Sequence, residues 1–371
     1  SYFVFRSGAA NVYLRDPKDA VVAMPEVRPT AMVSVPRLYE KVFAAIQDRV
    51  SRSSPLRRRL FGWALGAGSA FEHASRSGRR VGPALRVRHA LADRLVLSKI
   101  REAVGGDKKF FSAGGAPLSK DIEEFFLSVG LLVCQGYGLT ETSPMVTCNS
   151  PGAFRFGTVG RPIPGCEVRI ADEGEVQVRG DNVMKGYWGK PAETAAAFED
   201  GWFRTGDVGV LEPDGYLRIT DRIKDLIITS QGKNVAPQRV EGMLAGHPLL
   251  EQVVVLGDRR TFLSALIVPN FPALEERARK DGIPFRSREE LLKRPEVVAL
   301  FERILHERSR ELAGYEQIRR FTLLPHELTQ EAGEVTPTLK VRRRVVEHRY
   351  RKVIDDMYAA PEGRHDAAAR G

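Results

Sequence analysis

The sequence predicts an α/β protein in which a larger domain is followed by a small α+β domain at the C-terminus. Its 371 residues are enough for two or three domains. Glycine-rich stretches with short strand patterns fill the region from Leu131 to Thr220. Beyond Arg222 the order becomes strand, helix, strand, strand and helix, which is typical of a separate α+β domain. We therefore expect domains at 1–221 and 222–371, with a hinge near Lys224.

The first half of the chain is expected to combine short strands with a long helical region. Turn residues and short apolar runs predict strands and turns over 1–36. Apolar side chains at four-residue steps predict helices over 37–103. A strand at Lys109–Ala113, a glycine-rich turn and a helix at Asp121–Val129 should follow. The apolar side chains at four-residue steps are Leu38, Val42, Ile46 and Val50.

The second half begins with two predicted β-hairpins, because Asp-Glu-Gly at 172–174 and Asp-Gly at 214–215 are strong turn signals. Period-two patterns place their strands at Glu167–Ile170 with Glu175–Arg179 and at Val208–Leu211 with Tyr216–Ile219. The small domain is expected to hold a strand at 226–229, a helix at Pro237–Ala245, strands at Gln252–Leu256 and Ser264–Val268, and helices up to Ala313.

Composition excludes several classes of protein. With 43% hydrophobic and 28% charged residues, the chain is neither disordered nor a coiled coil. The 57 basic and 47 acidic side chains give a net charge of +10, which raises the question of a nucleic-acid partner. The arginine runs are short and far apart, and no nucleic-acid-binding motif accompanies them, so we predict no such partner. The three cysteines, Cys134, Cys148 and Cys166, suggest neither a disulfide framework nor a zinc site.

The predicted location is cytoplasmic. The longest apolar stretch, Phe125–Cys134, is about half of the ~20 residues that a membrane span needs. Arginine-bearing helices over 37–103 would permit peripheral contact with the inner face of a membrane. The chain opens on SYFVF without a basic leader, and such a bare apolar start leads us to expect a fragment of a longer protein.

Three segments carry residues suited to binding a nucleotide. In SAGGAPL (112–118), glycines between a strand and a helix let backbone amides approach a ligand closely. In QGYGLTET (135–142), flanking glycines would leave the ring face of Tyr137 open, and Thr140 and Glu141 offer oxygen ligands to Mg²⁺. Asp207, taken to begin a strand, could accept hydrogen bonds from a ribose diol. Taken alone, SAGGAPL is more typical of a ligand-free turn, and QGYGLTET is also typical of a buried tyrosine and a solvent-facing glutamate.

Together these segments resemble the AMP-forming acyl-CoA synthetases of the adenylating superfamily, which also contains luciferases. The resemblance covers nearly the whole chain, and VRPTAMVSVPRLYEKV (27–42) is similar to the long-chain fatty-acyl subgroup. It implies the C-terminal part of the large adenylate-forming domain followed by the small mobile domain. The other matching motifs are GTVGRPIPG (157–165), VRGDNVMKGYW (178–188), DGWFRTGD (200–207), DRIKDLIITSQGKN (221–234) and TPTLKVRR (336–343).

The resemblance implies a reaction in two steps. A long-chain fatty acid and ATP would form an acyl-adenylate and pyrophosphate, and coenzyme A would then displace AMP to give fatty acyl-CoA. The small domain would rotate between the two steps.

The resemblance also implies roles for individual residues. Lys340 would stabilise the first step. In the second step the strand carrying Gly232 would face the site, and the missing side chain would make room for the pantetheine arm of coenzyme A. Glu141 would hold Mg²⁺ and Thr140 would contact a phosphate. Asp207 and Arg222 would bind the ribose, while Gly115, Ala116 and Pro117 would line the adenine, with Tyr137 and Gly138 packed against it.

One feature of the superfamily is absent from the sequence. Its main phosphate loop, rich in Ser, Thr and Gly and closed by a Lys, is not found in the 371 residues. We therefore expect the chain alone to be weak or inactive, because losing a single such donor costs ~10²–10³ in rate. An adenylating enzyme for another carboxylic acid, and a non-catalytic nucleotide-binding remnant, are the alternatives.

Overall fold

The protein is described here by a computed structural model. It describes residues 6–15, 19–78, 80–106, 110–172, 174–336 and 340–359. The chain divides into two compact units. The first comprises 1–34, 49–113 and 120–134, and the second comprises 35–48, 114–119 and 135–371. Each unit is described separately below. Some residues named in the sequence predictions lie outside the described residues. They are Lys109 of the strand before the glycine-rich turn, Glu173 of the first hairpin turn, motif residues 337–339 and the tail 361–371.

The first unit is mainly helical, with a pair of parallel strands. Strand β1 pairs with β2 in the register Ala31 to Phe110, and the backbone amide of Phe111 donates to the carbonyl oxygen of Leu132 at 2.7 Å. The predicted helical region from 37 to 103 is confirmed. The elements are α1 (Ala20–Val27), β1 (Ala31–Ser34), α2 (Pro36–Ser51, mostly in the second unit), α3 (Pro55–Arg76), α4 (Pro83–Ala92), a π-helical turn (Asp93–Leu97), α5 (Ser98–Ala103), β2 (Phe110–Ala113) and α6 (Lys120–Ser128).

Helix α3 illustrates how the sequence builds this unit. The hydroxyl of Ser54 accepts a hydrogen bond from the Arg57 amide, and Pro55 occupies the first turn, where its missing amide costs nothing. The helix then packs against α6 at Gly68, which is fully enclosed. A Cβ atom on Gly68 would lie 1.9 Å from the carbonyl oxygen of Ser128, so only glycine permits this approach.

The second unit contains an antiparallel sheet that carries much of the candidate site. Its strand order is β10-β9-β7-β6, and both predicted hairpins, β6 with β7 and β9 with β10, are confirmed. Val146, Val176, Val178 and Leu217 form its buried core. The elements are β3 (Val133–Tyr137, shared with the first unit), a 3₁₀ turn (Thr140–Thr142), β4 (Thr147–Cys148), β5 (Arg161–Pro162), β6 (Cys166–Ile170), β7 (Glu175–Gly180), α7 (Pro191–Ala196), β8 (Phe198–Glu199), β9 (Trp202–Leu211) and β10 (Leu217–Arg222).

The C-terminal part of the second unit has its own sheet and core. Strand β13 is antiparallel to β14, which is parallel to β15, and helices cover an apolar core centred on Leu266, Phe301 and Val346. The elements are β11 (Ile227–Ile228), β12 (Asn234–Val235), α8 (Pro237–Leu244), β13 (Leu250–Leu256), β14 (Leu263–Pro269), α9 (Phe271–Lys280), α10 (Arg288–Leu292), α11 (Pro295–Arg308), β15 (Ile318–Leu323), α12 (Arg343–Arg349) and α13 (Arg351–Ala359).

Several local predictions were wrong or incomplete. The segment 1–36, expected to hold only strands and turns, contains helix α1 with Pro25 inside it. Its valines favour a strand, but alanine and methionine favour the helix that forms. Gly232, expected in a strand, lies in the turn between β11 and β12 with a φ of +73°, a conformation that glycine adopts without strain. The prediction also omitted β15, α12 and α13.

The overall α/β class is confirmed, while the boundary between the domains at 221 and 222 stays a prediction. Among the described residues, no helix has both the length and the apolar character needed to cross a bilayer. The cytoplasmic location and the peripheral membrane contact stay predictions.

Two glycines of α3 give a matched test of packing. Gly68→Ala should lower the free energy of unfolding by about 2 kcal/mol or more, because the Ser128 backbone must move. Gly62→Ala, in the same helix with nothing within 4 Å of its Cβ position, should raise it by ~0.5–1 kcal/mol. Urea denaturation of both variants measures the difference. Equal midpoints would show that α3 does not approach Ser128 closely.

Candidate active site

Most of the predicted site residues meet in one open cleft of the second unit. Its volume is about 710 Å³, counting the solvent at its mouth. Among the predicted site residues, only Thr140, Glu141 and Gly232 do not line it. The lining residues are Gly115, Ala116, Pro117, Leu118, Gln135, Gly136, Tyr137, Gly138, Gly157, Thr158, Val159, Asp207, Ile219, Asp221, Arg222, Gln238 and Lys340.

Gln135 shapes one wall of the cleft by fixing the turn at 114–118. Its side chain is buried, its oxygen accepts from the Leu118 amide at 2.9 Å, and its amide nitrogen donates to the Leu118 carbonyl at 3.2 Å. Gly115 has a φ of +85° and open space at its Cβ position, so it is needed for the backbone conformation. No role was predicted for Gln135, although it is the first residue of the QGYGLTET motif, because the motif does not show that its side chain reaches Leu118.

Asp207 joins two predicted site residues in the floor of the cleft. One carboxylate oxygen accepts from the Tyr137 hydroxyl at 2.6 Å, and the other accepts from Nε of Arg222 at 2.9 Å. Asp207 is only 3% exposed, whereas the Arg222 side chain is about half exposed and can still donate to a ligand. Burial, reinforced by the neighbouring Asp207 charge, raises the pKa of Tyr137, so its hydroxyl stays protonated and donates.

The position of Asp207 within its strand differs from the expectation. It lies in the middle of β9 and not at a strand start, directly opposite Arg222 of β10 in the antiparallel register. Residues opposite each other in such a ladder lie close enough for their side chains to interact. The hairpin register therefore creates the Asp207–Arg222 ion pair.

The glycines around Tyr137 also allow a close approach of the protein backbone, while the open ring face of Tyr137 stays a prediction. A Cβ atom on Gly138 would lie 1.7 Å from the carbonyl oxygen of Pro144. One on Gly136 would lie 3.3 Å from the sulfur of Met145. Both glycines thus let the segment after the 3₁₀ turn fold back against β3.

Thr140 and Glu141 lie in the 3₁₀ turn, away from the cleft lining. Thr140 is exposed, and one oxygen of Glu141 accepts from the Tyr187 hydroxyl at 3.1 Å. Within the described parts of the chain, no group of three His, Cys, Asp or Glu side chains could hold a metal ion. The single carboxylate of Glu141 fits Mg²⁺ only where a ligand supplies the other oxygens, as phosphates commonly do.

Lys340 reaches the cleft from the C-terminal part of the unit. Its Nζ lies 3.9 Å from a carboxylate oxygen of Asp225. Its backbone amide donates to the Thr336 hydroxyl at 3.0 Å, and its carbonyl accepts from the Thr336 amide at 2.8 Å. Burial, followed by the nearby Arg222 charge, lowers the pKa of Lys340. The cleft therefore holds a partly desolvated lysine beside a second cation.

Asp221 is a buried carboxylate at the same edge of the cleft. One oxygen accepts from the Arg222 amide at 2.6 Å and the other from the Gln238 amide, at the start of α8, at 3.3 Å. Burial outweighs these hydrogen bonds and raises its pKa to about 6. No site role was predicted for Asp221, Thr158 or Gln238. Asp221 and Thr158 lie within matching motifs, but a motif does not show which of its polar side chains face a cleft.

Comparison with family models gives two adjacent matches. Residues 1–188 match the AMP-binding enzyme model, and residues 224–362 match the model of the AMP-binding enzyme C-terminal domain.

Curated relatives agree with these matches. A long-chain-fatty-acid–CoA ligase of Mycobacterium tuberculosis is 38% identical over 96% of this chain and 59% of its own length. A peroxisomal long chain acyl-CoA synthetase of Arabidopsis thaliana is 32% identical over 99% of this chain and 54% of its own. The chain thus spans about 59% or less of the length of these two relatives.

Solved structures share the fold. The adenylation domain of a Mycobacterium chelonae carboxylate reductase covers 94% of this chain and 50% of its own, with a TM-score of 0.70 and 23% identity. At this identity the likeness concerns the fold alone.

The raised pKa of Asp221 predicts a pH dependence of stability. An unfolded aspartate titrates near ~3.9, so between about pH 4 and 6 the native state binds more protons than the unfolded state. The free energy of unfolding should therefore fall as pH rises through this range, by roughly 2–3 kcal/mol. Urea denaturation from pH 4 to 7 should show this fall in the free energy of unfolding for the wild type. The fall should be absent in Asp221→Asn. Asp214→Asn, at a half-exposed carboxylate, is the control, and parallel curves for wild type and Asp221→Asn would contradict the assignment.

Proposed function

The chain belongs to the AMP-binding enzyme family, and on that premise we propose that the protein is an AMP-forming long-chain fatty acid–CoA ligase. It would join a fatty acid to ATP, release pyrophosphate, and transfer the acyl group to coenzyme A with release of AMP. The observation that carries the proposal is the cleft in which Lys340 meets Tyr137, Asp207 and Arg222. The fatty-acid substrate is proposed from the names of the curated relatives.

The floor of the cleft suits the adenosine part of the nucleotide. The turn holding Gly115, Ala116 and Pro117 would face the adenine, with Tyr137 and Gly138 beside it. Each carboxylate oxygen of Asp207 accepts one hydrogen bond, from Tyr137 or from Arg222, and keeps a further lone pair. That lone pair can accept a hydrogen bond from a ribose hydroxyl. The half-exposed guanidinium of Arg222 would donate to the ribose or to the phosphate oxygens.

In the first step, an oxygen of the fatty-acid carboxylate attacks the α-phosphorus of ATP while the bond to pyrophosphate breaks. Negative charge then builds up on the phosphate oxygens. The Nζ of Lys340 would stabilise this charge, because an ammonium in a partly desolvated cleft interacts more strongly than it does in water. Mg²⁺ would neutralise part of the phosphate charge, held by Glu141, with Thr140 contacting a phosphate.

In the second step, the sulfur of coenzyme A attacks the acyl carbon, the bond to AMP breaks and the thiol proton passes to solvent. Gly232 would then border the pantetheine arm, although it now lies in an exposed turn outside the cleft. The part of the chain after 222 would therefore rotate about Lys224, which lies in a short exposed turn directly after β10. The proposed rotation therefore divides the protein into domains at 1–221 and 222–371.

The adenosine assignment predicts the effect of Asp207→Asn. This variant loses the charge that pairs with Arg222, so its Kd for AMP should rise roughly 10- to 100-fold. The control is Glu212→Gln, because Glu212 pairs with Arg218 of the same hairpin, away from the cleft. Calorimetric titration with AMP compares the two variants. Equal affinities would place the adenosine elsewhere.

The role of Lys340 predicts a separation of the two steps. Lys340→Ala should lower palmitate-dependent exchange of labelled pyrophosphate into ATP by about 10²–10³, while thioester formation from supplied palmitoyl-adenylate stays within about twofold. Lys280→Ala, at the exposed end of α9, should change neither rate.

Different outcomes of these assays would identify different functions. Exchange with an aryl or amino acid, but not with palmitate, would indicate an adenylating enzyme for another carboxylic acid. Binding of AMP without exchange under any condition would indicate a non-catalytic nucleotide-binding protein. Equal loss of both half-reactions in Lys340→Ala would contradict the rotation.

A further inference from the structure

We infer that Arg343, paired with Glu241, is a positioning residue that holds Lys340 in the cleft. Arg343 is the first residue of α12 and lies three residues after Lys340. It does not line the cleft, so its effect on the reaction would be exerted through Lys340. The inference rests on the proposed function only in giving Lys340 a catalytic role.

Arg343 belongs to a closed, nearly buried set of polar groups. Its terminal nitrogen pairs with an oxygen of Glu241 in α8, and its Nε donates to the carbonyl oxygen of Val255 at 3.0 Å. The same Glu241 oxygen accepts from the Val255 amide at 2.9 Å. The Arg343 and Glu241 side chains are only 11% and 17% exposed. An ion pair this enclosed and this fully hydrogen-bonded holds its geometry far more firmly than a surface pair does.

The pair occupies the open edge of the small sheet. Val255 lies opposite Ala265 of β14, and β13 is an edge strand, so the polar groups of Val255 would otherwise lack a strand partner. Glu241 and Arg343 supply the acceptor and the donor that a further strand would offer. The start of α12 is thereby fixed to both α8 and β13.

The segment carrying Lys340 is short and is held at both sides. After Lys340, Val341 bridges to Val335 and the Arg342 amide donates to the Glu334 carbonyl at 2.8 Å. Before it, the buried carboxylate of Glu334 accepts from the Tyr350 hydroxyl at 3.2 Å and from the Thr329 amide at 3.0 Å. Because only two residues separate Lys340 from Arg343, a shift of Arg343 must move the lysine as well.

Arg343 also shares the acidic groups that face Lys340. The charges around Lys340 are those of Arg222, Asp225, Asp207 and Asp221. Arg343 interacts with both Asp221 and Asp225 besides Glu241. A fixed cation beside these carboxylates leaves Lys340 only loosely paired with Asp225, at 3.9 Å, and free to turn towards a phosphate.

Labelling of Lys340 tests the inference without relying on enzyme activity. The full chain is modified with trace acetic anhydride over a range of pH, and mass spectrometry gives the titration of Lys340. In the wild type the pKa of Lys340 should lie below that of ordinary lysines, because the amine is partly buried. In Arg343→Gln the segment is released, and the pKa of Lys340 should rise by about half a pH unit or more.

Arg344→Gln is the matched control, since it removes the same charge from the neighbouring, exposed residue and should leave the titration unchanged. Circular dichroism establishes that each variant is folded. If Arg343→Gln does not fold, Arg343→Lys is used in its place. This variant keeps a cation but loses the second hydrogen bond, so we expect a smaller rise in the pKa of Lys340. An unchanged Lys340 titration in a folded Arg343 variant would overturn the inference.

The half-reactions separate this inference from the proposed function. Pyrophosphate exchange should fall roughly 10- to 100-fold in Arg343→Gln, as expected for a misplaced catalytic group, while thioester formation from palmitoyl-adenylate stays within about twofold. Loss of both half-reactions in a folded variant would show a general structural role and overturn the positioning role. Weak exchange by the chain alone is the expected result, because the sequence lacks the main phosphate loop. If exchange is still absent after a segment carrying that loop is supplied, the proposed function fails, and the labelling result still decides whether Arg343 positions Lys340.

Discussion

The buried carboxylate of Asp207 is the interaction on which the candidate site depends. It ties the end of β3, through Tyr137, to the paired strands β9 and β10, through Arg222. A buried charge is tolerated only when its hydrogen bonds are satisfied, so the three side chains hold one another in place. The floor of the cleft is thus fixed before any ligand binds, and a preorganised floor reduces the ordering cost of binding.

The other walls of the cleft follow the same rule. Gln135 satisfies both backbone groups of Leu118, and Asp221 satisfies the Arg222 and Gln238 amides. Each polar side chain removes freedom from a turn that would otherwise be loosely defined. Asp221 does so at a cost, because the folded protein favours its protonated form up to a pH of about 6. Positioning of the site and stability near neutral pH are therefore in opposition at this residue.

Lys340 illustrates the complementary requirement for a group that has to move between two steps. The Arg343–Glu241 pair and the Glu334 contacts fix the segment around it, while the Lys340 ammonium forms a long ion pair with Asp225. A firmly held backbone segment and a weakly held ammonium suit a cation that acts in one step and leaves before the next. The rigid contacts set where Lys340 reaches, and the weak contact lets it depart.

The sequence by itself determined the α/β class, the helical region, the two hairpins and the family, because these depend on local periodicity, turn residues and motifs. Most of the candidate site could be predicted in the same way, since eight of the residues predicted for it line the cleft. The tertiary structure decided which groups meet. Tyr137 and Asp207 are 70 residues apart, and Glu241 and Arg343 are 102 apart. Neither pairing leaves a local pattern, because it arises only when separate elements pack. For the same reason the roles of Gln135, Asp221 and Arg343 could not be recognised beforehand, although all three lie in matching motifs.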